Sequence, residues 1–191
     1  MADKYRNFKA LREGERKGID FQIRVYNRSS SAAIIAPHGG KIEPNTSDIA
    51  TAIANDTSSL YCFEGTKRAD NETLHITSHN FDEPRCLALI SGTDTVVAIH
   101  GCAGGDESVG VGGLDMKLRD AIRDALTQVG FKAAAIEHGN LAGTDKNNIC
   151  NRGRFAKGVQ LEITKGLRDR LRGAHLEKFA GTIRNAIESG G

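Results

Sequence analysis

Ala32-Ala-Ile-Ile-Ala-Pro-His-Gly-Gly40 and Thr95-Val-Val-Ala-Ile-His-Gly101 decide the fold, because each runs from a short, unbroken apolar stretch into His-Gly. An apolar run of this length without alternation suits a strand covered on both faces. Around these two lie further strand patterns. Phe21–Tyr26 alternates, and Leu60–Phe63, Leu74–Thr77, Lys132–Ile136 and Val159–Ile163 are short apolar or β-rich runs.

Helical patterns separate them. Ile49, Ala50, Ile53 and Ala54 recur at helical spacing behind the capping candidates Asn45-Thr-Ser-Asp48. Asp82-Glu-Pro84 opens a helix over 81–90. Leu114, Leu118, Ile122, Ala125, Leu126 and Val129 make one apolar stripe that Gly130 stops. A closing helix covers 174–187. Strands alternating with helices predict an α/β sandwich with a mostly parallel or mixed central sheet flanked by helices. No repeat or linker divides the chain, so residues 1–191 read as a single domain.

Composition narrows the function. A net charge of +2, with Lys and Arg spread along the chain, gives no footprint for nucleic acid. No stretch reaches the ~20 apolar residues that span a bilayer, so no membrane partner is expected. Met1–Arg16 is charged throughout and lacks a signal-peptide core, which predicts a cytoplasmic chain. The scattered charge suggests no obligate partner, and a monomer is expected. Cys62, Cys86, Cys102 and Cys150 show no metal-binding spacing and read as free, mostly buried thiols.

Polar residues able to bind metal or move protons stand at the ends of the buried runs. His38 follows Ile34-Ile35, His100 follows Val96-Val97, and Glu162 sits within Val159–Ile163. In open α/β sheets the carboxyl ends of the strands gather on one rim, where ligands bind. His38 and Glu43, with two glycines between them, can fold back on one ion, and a second histidine from another strand would complete a zinc site with an open position. His100 is that candidate. Glu162 lies where burial is expected, and a buried carboxylate needs a partner. On the residues alone, structural roles for these side chains stay open. His75 reads equally as a substrate residue or a histidine inside a strand. A cysteine hydrolase built on Cys102, two residues after His100, is a rival reading, as is an inactive binding module.

The ordered series His38-Gly-Gly-Lys-Ile-Glu43, Leu74-His-Ile-Thr-Ser78, Phe81-Asp-Glu-Pro84, Ile99-His-Gly101, Val111-Gly-Gly-Leu114 and Gly158-Val-Gln-Leu-Glu-Ile-Thr164 closely resembles the phage poly-γ-glutamate hydrolases and their bacterial relatives, also known as phage-related replication proteins. The resemblance runs from about residue 20 to about residue 185. That family is similar in fold to zinc carboxypeptidases, and it resembles N-formylglutamate amidohydrolases and succinylglutamate desuccinylases.

The resemblance implies that His38, Glu43 and His100 hold Zn2+ and that Glu162 is the catalytic glutamate, activating a water. Asn148-Ile-Cys-Asn-Arg152 looks like the family's stretch before the last strand, which makes Arg152 and Asn151 substrate-binding candidates alongside His75. Lys41, Arg154 and Lys157 are further cations available to a groove. His79 has no matching position, since the family's histidine in this stretch falls at Asn80.

The implied activity is zinc-dependent hydrolysis of γ-glutamyl amide bonds, with a polyanionic glutamate polymer as substrate. A small N-acyl-glutamate or γ-glutamyl peptide is the alternative. A phage-encoded copy would act outside the cell after host lysis. The segment Gly101–Gly113, with six glycines, is expected to be a mobile loop bordering the metal.

Overall fold

Seven strands form one sheet in the computed structural model, which describes residues 3–190. They are β1 (Phe21–Tyr26), β2 (Ala32–Gly40), β3 (Ser59–Gly65), β4 (Thr95–Cys102), β5 (Ser108–Gly113), β6 (Lys132–Ala135) and β7 (Val159–Thr164), in the order β1-β3-β2-β4-β7-β5-β6. The central four, β3, β2, β4 and β7, are parallel; β1 runs antiparallel on β3, and β5 antiparallel on β7. The sheet is therefore mixed, with a parallel centre.

Each face of the sheet has its own core. Ile34, Val97, Ile99 and Leu161 pack against α2 (Thr46–Ala54), α4 (Met116–Gln128) and α6 (Gly173–Gly190). Ala33, Ile35, Tyr61, Phe63, Val96 and Ala98 face α1 (Phe8–Gly14) and α3 (Pro84–Ile90). Helix α4 shows the local logic. The Asp115 carboxylate accepts from Leu118 N and caps it, Leu118, Ile122 and Leu126 are buried, and Gly130 at φ +94° ends it. A short α5 (Lys165–Arg170) follows β7. No described helix is long and apolar enough to cross a membrane.

Topology fixes where a ligand can enter. From β2 the chain crosses to β3 on one side and then returns to lay β4 on the other. The crevice outside the carboxyl ends of β2 and β4 is therefore the switch point of the sheet. His38 is near the end of β2 and His100 near the end of β4.

Two expectations are corrected. Leu74–Thr77 is no strand: Asn71–Leu74 is a 3-10 turn, and the backbone beyond it bonds to side chains instead of a neighbouring strand. The Ile76 carbonyl takes His38 Nε2, and Thr77 N donates to Asp3. The Gly101–Gly113 segment is mostly strand, the end of β4 and the whole of β5. Its glycines serve close approach: a Cβ on Gly110 would stand 2.1 Å from Ile136 Cδ1, and one on Gly112 would stand 2.3 Å from the Ala142 carbonyl oxygen. Helix α1 arises in the charged N-terminal stretch, where Asn7 caps it and only Phe8 and Leu11 are buried.

Candidate metal and catalytic site

A cavity of about 680 Å³ opens at the switch point and contains His38, Glu43, His100 and Glu162 in its wall, a size typical of small-molecule sites. Beyond His38 the chain turns sharply. Gly40 takes φ +63°, Glu43 N donates to the His38 carbonyl at 2.9 Å, and a Cβ on Gly39 would strike Ser47 Oγ at 2.0 Å. The two glycines bring the Glu43 carboxylate back beside the ring that precedes them. Its Oε2 accepts from Gly101 N at 2.8 Å, tying the turn to β4.

His38 is buried, and its Nε2 donates to the Ile76 carbonyl at 2.8 Å. A carbonyl only accepts, so Nδ1 is the atom offered to the cavity. It lies 3.3 Å from Glu43 Oε1 and 3.2 Å from His100 Nδ1. His100 and Glu162 are register partners on adjacent parallel strands. His75 stacks on His38 with ring centroids 4.0 Å apart, while its Nδ1 donates to Asp3 Oδ1 at 2.8 Å. The ligand atoms of His38, Glu43 and His75 lie within 4.8 Å of one another, a group that does not include His100. Two histidines thus flank the His38–Glu43 pair.

The electrostatics are those of a desolvated cluster. Burial works against charge on Glu43, yet His38 beside it and the Gly101 amide hold its carboxyl down to about 2. Burial, with His38 nearby, pushes His100 down to about 3. Burial opposes a proton on His38, but the Glu43 carboxylate outweighs it and raises the imidazole. Burial and then the Glu43 charge push Glu162 up to about 8. The Cys102 thiol is raised by burial and by Glu162, against the thiolate a cysteine hydrolase needs.

These residues fit a zinc ion. Two imidazoles and one carboxylate are a donor set of catalytic zinc sites, and ligand atoms bound at 2.0–2.1 Å around a tetrahedral ion lie ~3.3 Å apart. The separations of 3.2 Å and 3.3 Å around His38 Nδ1 match that spacing.

Asn151 and Arg152 stand elsewhere. The Asn151 side chain is buried and fully committed to backbone: Oδ1 accepts from Leu114 N and Gly158 N, and Nδ2 donates to the carbonyls of Gly143 and Asp145. Arg152 is exposed and donates to the Phe81 carbonyl at 3.3 Å. Neither lines the cavity, and among the described lining residues there is no Lys or Arg. Lys41 reaches the Lys67 carbonyl, Arg154 pairs with Asp94, and Lys157 with Asp115.

Sequence reasoning missed the wall formed by Gly139–Asp145, and also Asn148 and Gln160. Gln160 carried a readable signal, since it lies two residues before Glu162 on the same strand face. The loop 139–145 carried none, because only the fold brings it to the rim.

The mixed sheet with its parallel centre thus carries imidazoles and carboxylates at its switch-point rim. The chain belongs to the poly-gamma-glutamate hydrolase family, whose profile matches residues 5–181. It is 42% identical over 170 residues to YmaC of Bacillus subtilis (strain 168), covering 87% of this chain and 71% of that protein. It is 40% identical over 164 residues to the SPbeta prophage-derived protein YoqZ of the same strain, covering 85% of this chain and 59% of YoqZ. The chain therefore spans little more than half the length of that relative.

Among solved structures, a bacteriophage poly-gamma-glutamate hydrolase superposes with a TM-score of 0.95 at 30% identity, over 98% of both chains. A zinc-free apo form of YndL superposes with a TM-score of 0.93, also at 30% identity and over 98% of both chains. The N-formylglutamate amidohydrolase of Ralstonia eutropha JMP134, at 11% identity and a TM-score of 0.55 over 90% of this chain and 98% of that one, shares the fold.

Proposed function

We propose that this chain is a zinc-dependent amidohydrolase that cleaves γ-glutamyl amide bonds and shortens poly-γ-glutamate. One observation carries the reading: Glu43 and His100 converge on His38 Nδ1 at 3.3 Å and 3.2 Å beside the buried Glu162. Membership of the family and the zinc-free form of a relative support it.

In this reading His38, Glu43 and His100 hold the zinc. His100 is taken as the third ligand because its Nδ1 faces His38 Nδ1 at 3.2 Å; His75, whose Nδ1 is held by Asp3 and which keeps Nε2 to offer, is the alternative third ligand. When bound, the ion polarises the scissile carbonyl and lowers the pKa of water. Glu162 handles the proton. Its Oε1 accepts from Gln160, and its Oε2 takes no hydrogen bond from the described residues. As the water oxygen bonds to the carbonyl carbon, Oε2 takes the proton that the water loses. The carbon–nitrogen bond then breaks, and the same proton passes to the leaving amine. The products are one carboxyl group and one amine. Only the ionised carboxylate can take this proton, and the acid so formed is the group that hands it to nitrogen.

Substrate binding follows from what lines the cavity. Each γ-linked glutamate carries a free α-carboxylate, and the groups available near the scissile bond are Thr77, Ser78, His75 and His79. Arg152 is assigned to a carboxylate of a unit outside the cavity. The cavity's bounded volume also favours a second reading, in which a small γ-glutamyl peptide is the substrate.

Chain length of poly-γ-glutamate after incubation, followed beside release of amine from a γ-glutamyl dipeptide, tests both. Shortening by wild type and none by Glu162→Gln supports the polymer reading. Dipeptide cleavage with an intact polymer replaces the substrate, and no cleavage of either removes the activity.

A further inference from the structure

The hydrogen bonds behind Glu162 have a polarity set by backbone groups. Cys150 N, which can only donate, gives its proton to Asn148 Oδ1 at 3.1 Å. The Asn148 amide nitrogen is thereby turned to Gln160 Oε1 at 2.8 Å. That leaves Gln160 Nε2 to donate twice, to the Leu141 carbonyl at 2.9 Å and to Glu162 Oε1 at 3.0 Å. The Leu141 carbonyl can only accept, so the far end enforces the same direction. Asn148, Gln160 and Glu162 are all buried, and no rotation of either amide keeps every bond. Gly143 makes room for the arrangement, since a Cβ there would stand 2.6 Å from the Gln160 carboxamide carbon.

We infer that Gln160 is a positioning residue, which reserves Glu162 Oε1 and leaves Oε2 as the proton-transfer atom, and which couples this orientation to the rim loop through Leu141. This rests on the reading of Glu162 as the proton acceptor. A carboxylate with one oxygen tied down has one productive orientation, and small misplacements of a reacting group cost rate steeply. The loop that carries the exposed Leu141 forms part of the cavity wall, and one carboxamide ties it to the carboxylate.

Two substitutions act on the chain at different points. Gln160→Met keeps the length and removes the donors. Asn148→Asp keeps the shape but replaces the amide nitrogen with an acceptor, so Gln160 must turn its own oxygen toward Glu162. The experiment measures kcat, KM, bound zinc and unfolding midpoint for both variants, their combination and Glu162→Gln, with poly-γ-glutamate as substrate.

The expected result is full zinc content, KM near the wild-type value, and kcat down roughly 100-fold in each single variant. The combination should lose no more than either alone, as expected for groups acting in one chain. Wild-type kcat in Gln160→Met, with Glu162→Gln inactive, would overturn the inference alone, as would losses that multiply or that track the unfolding midpoint. An active Glu162→Gln would overturn the reading beneath it. If Gln160→Met does not fold, Asn148→Asp carries the same test.

Discussion

His100 on β4 and Glu162 on β7 are register partners across adjacent parallel strands, so their side chains leave the same face of the sheet side by side. The strand pairing itself places the proposed proton acceptor next to a proposed metal ligand. Both are held by backbone deep in the sheet, where Val97–Ile99, Leu161 and Ile163 are fully buried. Glu162→Gln should therefore leave fold and zinc content unchanged while kcat falls by about 10²–10⁴-fold, the usual contribution of a positioned acid–base group. Steady-state kinetics beside metal analysis checks it.

Cys102 lines the same cavity, but the proposed mechanism gives it no role. Its thiol is pushed up by burial and by Glu162, which disfavours the thiolate. Cys102→Ala should retain activity within about threefold, since surface and rim substitutions of this kind cost little. Loss of turnover with zinc intact would revive a cysteine mechanism.

Gly158 enters β7 where no side chain fits. A Cβ there would stand 2.0 Å from the Cys150 carbonyl oxygen and 2.8 Å from that of Val96. Gly158→Ala should destabilise the fold by at least ~1–3 kcal/mol, the range for overpacking. A denaturant midpoint equal to that of wild type would contradict it.

Outside the candidate site, Glu15 should contribute to acid sensitivity. Although burial opposes its charge, hydrogen bonds from Lys67, Tyr5 and Lys4 hold its carboxyl below the ordinary glutamate range. A depressed folded-state pKa contributes stability above the unfolded value, and that contribution is lost as pH falls through the folded value. Glu15→Gln should cost ~1.5–3 kcal/mol at pH 7, the range for hydrogen bonds to a charged group. The gap to wild type should close as pH falls below the ordinary glutamate range and through the depressed folded-state value. Thermal unfolding of both proteins across that range decides the point.

Much of this was readable in the chain, for reasons that differ by residue. Ala32–Ala36 and Val96–Ile99 are apolar on both faces because helices cover both faces, and that pattern survives in sequence. His38, Glu43 and His100 were legible because glycines beside them mark tight turns and close approaches, as the contacts at Gly39 and Gly101 show.

Leu74–Thr77 misled because alternating burial of Leu74 and Ile76 mimics a strand, while its backbone bonds go to His38 and Asp3. The glycines of Gly101–Gly113 suggested mobility, whereas Gly110 and Gly112 mark close packing of β5. Asn151 and Arg152 showed their residue types but not their surroundings. Only the folded chain reveals that Asn151 is consumed by four backbone groups.

The central claim is the ligand set, and metal content tests it most directly. Wild type, His38→Ala, His100→Ala and His75→Ala would be purified without chelators, loaded with zinc, desalted and measured by mass spectrometry. The account predicts about one zinc per chain in wild type and His75→Ala, and loss in His38→Ala and His100→Ala. Full zinc in His100→Ala with loss in His75→Ala would move the third ligand to His75, and a wild type that binds no zinc after loading would contradict the account.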